Sequence, residues 1–199
     1  MRHVSVVLGL ALVLAACGSG DAGEASTSAP SPPTTTTTFD PSTNLELAEA
    51  FIDAFYSYDP EVLGSMLSAS SSKPDILFYQ GWAEGANYAI VDRGACEAQT
   101  STIVECPITV EDDLAKTLQI GFNVTDTFTL TIADGTISTV RTSSDDPAAV
   151  GEAFEWVFQQ NPDLRTGVCE GLFGGGGPTP QDCAREVLAG LVEFAARNE

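Results

Sequence analysis

Two periods organise the apolar residues of this chain. Over residues 44–58 they recur every three or four positions: Leu47, Phe51, Ala54, Phe55 and Tyr58 fall on one side of a helix, with Ala48 and Ile52 at its margin. Glu46, Glu49, Asp53 and Ser57 take the other side. Asp59-Pro60 ends this helix and opens a short second one over 61–68, with Val62, Leu63, Met66 and Leu67 apolar. After a polar loop at 68–74, a third helix is expected from Asp75 to about Val91. Phe78, Trp82, Gly85, Ala86 and Ala89 share one of its faces. Gly81 and Gly85 each cost about 1 kcal/mol against alanine in a helix, but small residues permit close packing.

The period then changes to two. Residues 94–100 and 102–110 read as a hairpin about Ser101, in which Val104, Cys106, Ile108 and Val110 alternate with Ile103, Glu105, Pro107 and Thr109. Pro107 implies a free edge or a bulge at that point. The acidic stretch 111–116 reads as a loop or a helical turn. Over 118–132 the alternation is clean: Leu118, Ile120, Phe122, Val124, Phe128, Leu130 and Ile132 share one phase, and Asp126 is the single charged residue in it. Ala133-Asp134-Gly135-Thr136 is a turn, returning as a strand over 137–141. Asp146-Pro147 opens a helix with Asp146 as cap, carrying Val150, Phe154, Val157 and Phe158, until Asn161-Pro162. Residues 163–179 read as loop. Thr179-Pro180-Gln181-Asp182 resembles a capping box for a last helix striped by Ala184, Val187, Leu188, Leu191, Phe194 and Ala195.

Before all of this stands a different kind of sequence. Arg2 and His3 precede an apolar run over 4–14, too short to span a bilayer, followed by small residues. That is the layout of a secretory signal. Leu14-Ala15-Ala16-Cys17 resembles the lipobox of bacterial lipoproteins. The resemblance implies cleavage before Cys17, a diacylglyceryl group on its thiol, and attachment to the cell membrane facing away from the cytoplasm. An ordinary secretory signal with an incidental cysteine is the alternative. The expected organisation is therefore a signal at 1–16, a linker at 17–43 and one domain at 44–199. The linker is rich in Ser, Thr and Pro, including a run of threonines at 34–38, and cannot bury enough apolar area to order itself. As a coil it reaches on the order of 30 Å, and stretched about 80 Å.

Composition narrows the partners. The chain carries 8 basic against 28 acidic side chains, a formal charge of −20. Such a chain repels phosphate backbones and anionic headgroups, which argues against nucleic acid and leaves membrane attachment to the lipid. Of 5 cysteines, Cys17 is assigned to lipid. Cys96, Cys106, Cys169 and Cys183 remain, an even set in an exported chain, and three pairings are open. Cys96–Cys106 is favoured because the two lie symmetrically about the hairpin turn, and Cys169–Cys183 because it ties the ends of the Gly-rich loop. A zinc site would lack close Cys-x-x-Cys spacing, and the single histidine is His3. No metal or cofactor is expected. Glu111-Asp112-Asp113 lacks the spaced oxygens of a calcium loop and reads as a solvated acidic face. The glycine run 174–177 lacks the lysine of a phosphate loop. Asn123-Val124-Thr125 matches a glycosylation sequon without further support.

The order of helices, hairpin-rich sheet and closing helix is an α+β order. With the first helix Leu47–Tyr56, its Asp59-Pro60 follow-on and the hairpin Thr127–Ile137, it resembles the nuclear transport factor 2-like superfamily and its SnoaL-like members. The resemblance covers about 44–162 and implies a cone, a curved antiparallel sheet (the cystatin-like superfold) wrapped around N-terminal helices. The segment 163–199, with its disulfide-tied helix, is an addition to that pattern. Enzymes of this fold include polyketide cyclases and ketosteroid isomerases that use an aspartate base in an apolar cone. The candidates here are Asp126 and Tyr58, although Asp126 also reads as a strand-breaking turn residue and Tyr58 as core. Tyr58, Trp82 and Phe128 are the candidate pocket residues, and Trp82, Phe128 and Trp156 also read as core. Histidine-dependent nucleophilic catalysis is excluded from the mature domain. Three functions follow as expectations: a non-enzymatic envelope module binding a small apolar ligand or a protein partner, a cyclase- or isomerase-like enzyme, and a structural domain with a filled cone. The first leads, because a tether and a disulfide-braced domain occur without a catalytic motif.

Overall fold

In a computed structural model of the chain, helix α1 spans Pro41–Phe55 and places Ala48, Phe51, Ile52 and Phe55 wholly inside the core. The described residues are 41–170, 172 and 179–197, all within the unit Thr38–Glu199. The signal at 1–16, Cys17, most of the linker and the glycines at 174–177 lie outside them. The helix begins inside the stretch assigned to the linker, because Pro41 suits a first helical turn. It also stops before Tyr58, which turns out of the helix with a φ of 57°. Gln80 Nε2 donates to the Ala54 and Phe55 carbonyls at 3.0 and 2.9 Å, answering backbone acceptors that the helix end leaves free.

Helix α2 (Pro60–Met66) starts on Asp59, whose carboxylate accepts from the Glu61 and Val62 amides at 2.9 and 3.1 Å. Helix α3 covers Lys73–Gly85 and is shorter than the helical period suggested. Residues 89–91 instead begin strand β1 (Ala89–Arg93), after Asn87 reverses the chain with a φ of 55°. The expected first arm of the hairpin is thus mostly β1, and the arm at Cys96 is reduced to β2 (Glu97–Ala98). Both pair antiparallel with β3 (Ile103–Glu111), and the Cys96–Cys106 disulfide joins the two sides of the turn.

Pro107 explains the break between β1 and β2. Its carbonyl accepts from the Gly94 amide at 3.0 Å, so its missing N–H faces the same edge, in the gap between the two short strands. Helix α4 (Asp113–Thr117) follows, and β4 is Val124–Ala133. The alternation at Leu118, Ile120 and Phe122 is not strand: Gln119 and Gly121 have φ of 53° and 82°, and Phe122 is half exposed. Strand β5 (Thr136–Ser144) returns through Asp134 and Gly135, both at positive φ, the geometry of a tight hairpin turn. The sheet order is β1-β3-β4-β5, with β2 beside β3, all antiparallel. The architecture is α+β with an open antiparallel sheet.

Helix α5 (Ala148–Gln160), the short α6 (Asp163–Thr166) and α7 (Pro180–Ala196) complete the chain. Two expected caps do not form. Neither α5 nor α7 has a side-chain cap bond, so Asp146 and the Thr179–Asp182 box are not capping their helices. Helix α7 lies against α3, where the cost of two glycines finds its return. A Cβ on Gly85 would stand 2.6 Å from the Gln181 carbonyl oxygen. The Cys169–Cys183 disulfide holds the start of α7 to the segment after α6.

Burial divides into two clusters. One joins α1 to the sheet through Phe51, Phe55, Phe128, Leu130 and Ile132. The other joins α3, α5 and α7 through Phe78, Trp82, Val157, Val187 and Leu191. Tyr79 and Tyr88 pack against both.

Candidate functional site

The seam marked by Tyr79 and Tyr88 opens into a cavity of about 640 Å³. Its aromatic wall comes from Phe78, Tyr79 and Trp82 of α3, Tyr88 before β1, and Phe154 of α5. Trp82 and Phe154 stack in a tilted pair with centroids 5.8 Å apart. Asp126 projects from β4, Asp112 from the start of α4, Thr142–Ser144 from β5, and Asp75 and Asp146 stand at the rim. The volume lies within the usual range for a small-molecule site.

Asp126 reaches the cavity because it occupies an inward position of β4. The residues Val124, Asp126, Phe128, Leu130 and Ile132 are all buried, so the apolar phase does continue through the aspartate. It is paired with Ile108 on one side and Ser144 on the other, within the sheet and not in a turn. Tyr79 donates its phenolic proton to Asp126 Oδ2 at 2.6 Å. Burial pushes the Asp126 carboxyl up to about 6, and nearby Asp146 and Asp112 add to that, against the lowering effect of hydrogen bonds from Tyr79 and Ser144. Burial likewise raises Tyr79 and Tyr88 well above the ordinary phenol range, with Asp126 contributing to both.

Asp112 is not part of a solvated acidic face. It is 3 % exposed, and its Oδ1 accepts from the Ala115 amide at 2.8 Å as the cap of α4. Burial raises its carboxyl, opposed by those backbone bonds. Only its neighbours Glu111 and Asp113 behave as surface charges, both paired with Lys116.

The expected partners Asp126 and Tyr58 are not brought together. Tyr58 points its hydroxyl at the Tyr88 carbonyl, 2.6 Å away, and lines a smaller cleft with Pro60, Leu77 and Gln181. The reason is the early end of α1: once Phe55 is the last helical residue, the stripe that would have carried Tyr58 inward no longer exists. Its phenol is pushed up to about 12 by burial and by Glu84. Phe128 is wholly buried among Phe51, Phe55, Tyr56 and Tyr79 and does not line the cavity. Of the three expected pocket residues, Trp82 alone does so.

No family model matches the chain, and no curated protein or solved structure does. The site must be read from its own chemistry.

Tyr79 and Tyr88 carry no signal in the sequence pattern, and Asp112 and Asp146 read there as a surface charge and a helix cap. Tyr79 lies beside the apolar face of α3, and Asp146 has a capping pattern that the chain does not use. The one available signal was Asp126, a charge inside an apolar phase. Such a charge calls for a hydrogen-bond donor, and Tyr79 supplies it. Behind it, the Tyr56 hydroxyl is buried with no hydrogen-bond partner. Burial, and then Asp126 and Tyr58, raise its ionisation well above the usual phenol range. Among the described residues no group of three His, Cys, Asp or Glu side chains converges to hold a metal ion.

Proposed function

We propose that this chain is a lipid-anchored protein of the cell envelope whose domain, outside the cytoplasm, binds a small molecule with an apolar body. The observation that carries the binding half is the aromatic-walled cavity between the sheet and the α3–α5–α7 cluster. Anchoring is supported by the lipobox-like Leu14–Cys17 stretch, and export by the two disulfides, which suit an oxidising compartment. The antiparallel sheet packed on an N-terminal helix is compatible with a nuclear transport factor 2-like, SnoaL-like cone, and we place the domain there as part of the same proposal. A protein partner in the envelope would then engage the tethered domain from outside.

Native mass spectrometry of the protein extracted from envelopes tests the binding reading. A co-purifying small molecule, lost when Trp82 and Phe154 are replaced by alanine, is the expected result. An empty protein that also ignores a broad ligand screen overturns it. Replacing Cys17 with serine tests the anchor: the product should leave the detergent phase on partitioning.

A second reading has one specific observation behind it. Asp126, held near pH 6 and hydrogen-bonded to Tyr79, is placed to accept a proton from a bound carbon acid. In this reading Tyr79 replaces Tyr58 as the phenol of the site. Chemical conversion of the co-purified molecule by the wild type but not by Asp126→Asn would favour it.

A further inference from the structure

The charge of the cavity narrows the ligand class, an inference that rests on the binding reading above. Asp112 and Asp126 sit in its wall, each 3 % exposed, and Asp75 and Asp146 stand at its mouth. None of its lining residues is Lys, Arg or His. The ion pairs among the described residues engage none of these four aspartates. Asp112 accepts from the Ala115 amide and Asp126 from Tyr79, but neither meets a cation, and a buried carboxylate that stays ionised without one is costly. The walls add a second preference of the same sign. Trp82, Phe154, Phe78, Tyr79 and Tyr88 line the same space, and a desolvated cation is attracted to aromatic faces.

We propose that the cavity binds an organic cation, an amine or ammonium group carried on an apolar or aromatic body. A bare metal ion fits less well, since the carboxylates surround the space without three of them converging. An anionic ligand would meet four like charges and no basic partner. In this arrangement the apolar body lies against Trp82 and Phe154, and the ammonium faces Asp126 and Asp112. The acidic exterior helps concentrate such ligands near the opening.

The test uses the full chain in detergent and three fragments of nearly equal shape: 2-phenylethylammonium, 2-phenylethanol and phenylacetate. Calorimetric titration should show the ammonium binding at least about tenfold more tightly than the alcohol, and the carboxylate not at all. Asp126→Asn and, at the exposed rim, Asp146→Asn should each weaken the ammonium by about threefold or more and leave the alcohol unchanged. Because Asp146 is exposed, its variant gives a second comparison that leaves the buried wall untouched. Equal binding of ammonium and alcohol, or ammonium binding indifferent to Asp146→Asn and Asp126→Asn, overturns the cation assignment while leaving an apolar binding site. Silence from all three fragments at millimolar concentration, together with an empty native mass spectrum, overturns the binding reading as well.

Discussion

Tyr79 and Asp126 meet at 2.6 Å across the seam between the helical cluster and the sheet, phenol donating to carboxylate. The bond favours the charged aspartate, while burial favours the neutral one, and burial prevails. Replacing Tyr79 with phenylalanine leaves Ser144 alone to stabilise the charge by a side-chain hydrogen bond. The Asp126 carboxyl should then titrate above about 6, and the variant should lose about 1.5–3 kcal/mol near pH 8 and less near pH 5. Carboxyl ¹³C shifts followed against pH report the first, and urea unfolding at the two pH values the second.

Asp126→Asn has the opposite sign. A carboxyl whose folded pKa is raised binds its proton more tightly in the native state. Its ionisation therefore subtracts stability as pH rises from the unfolded value near 4 through about 6. The groups facing it are Tyr79, Tyr88, Tyr56, Ser144, Asp112 and Asp146, with no cation among them. The amide should be more stable than the wild type by on the order of 2–3 kcal/mol at pH 7.5, and the advantage should vanish near pH 4. Parallel urea titrations of both proteins at the two pH values check this. Asp112, also raised by burial, titrates in both proteins, and its repulsion of Asp126 is part of what the amide relieves.

Gln80→Leu keeps the side-chain bulk and removes the donor that closes α1. The Phe55 carbonyl, left with one long local contact from the Tyr58 amide, should cost about 1–3 kcal/mol. Hydrogen exchange should quicken first at the last turn of α1.

Gly85→Ala ought to stabilise an isolated helix by about 1 kcal/mol. Here the added methyl meets the backbone of Gln181, which cannot swing aside. We expect a net loss of about 1–3 kcal/mol, seen as a lower midpoint in thermal unfolding.

Removing the Cys169–Cys183 bridge as a pair of alanines opens a loop with a sequence separation of 14. The chain-entropy account gives a loss of about 3 kcal/mol. Cysteine mapping of unreduced protein by mass spectrometry verifies both pairings.

Local pattern carried much of this fold. The stripe of α1, the inward phase of β3 and of the second half of β4, and the Asp134-Gly135 turn were all legible, because each is set by residues a few positions apart. The disulfide pairing was legible for the same reason at Cys96 and Cys106. What failed depended on contacts distant in sequence. The end of α1 is set partly by Gln80, and the conversion of 89–91 from helix to strand by pairing with β3 at Val110 and Glu111. The candidate site suffered most, since its residues come from five separate elements. Asp126 was visible as a misplaced charge, but its partner was not: nothing in the spacing between positions 79 and 126 says that they touch.

The β1 border of the sheet is built so that copies of this domain do not pair along it. Strand β1 shows Ile90 and Val91 to solvent, which alone would invite another chain to add itself. A register shift between Ile90 and Asp92, and the proline-made gap after Arg93, break that border into pieces too short for a neighbour to zip along. On this side of the sheet a second copy therefore finds no long free strand to pair with.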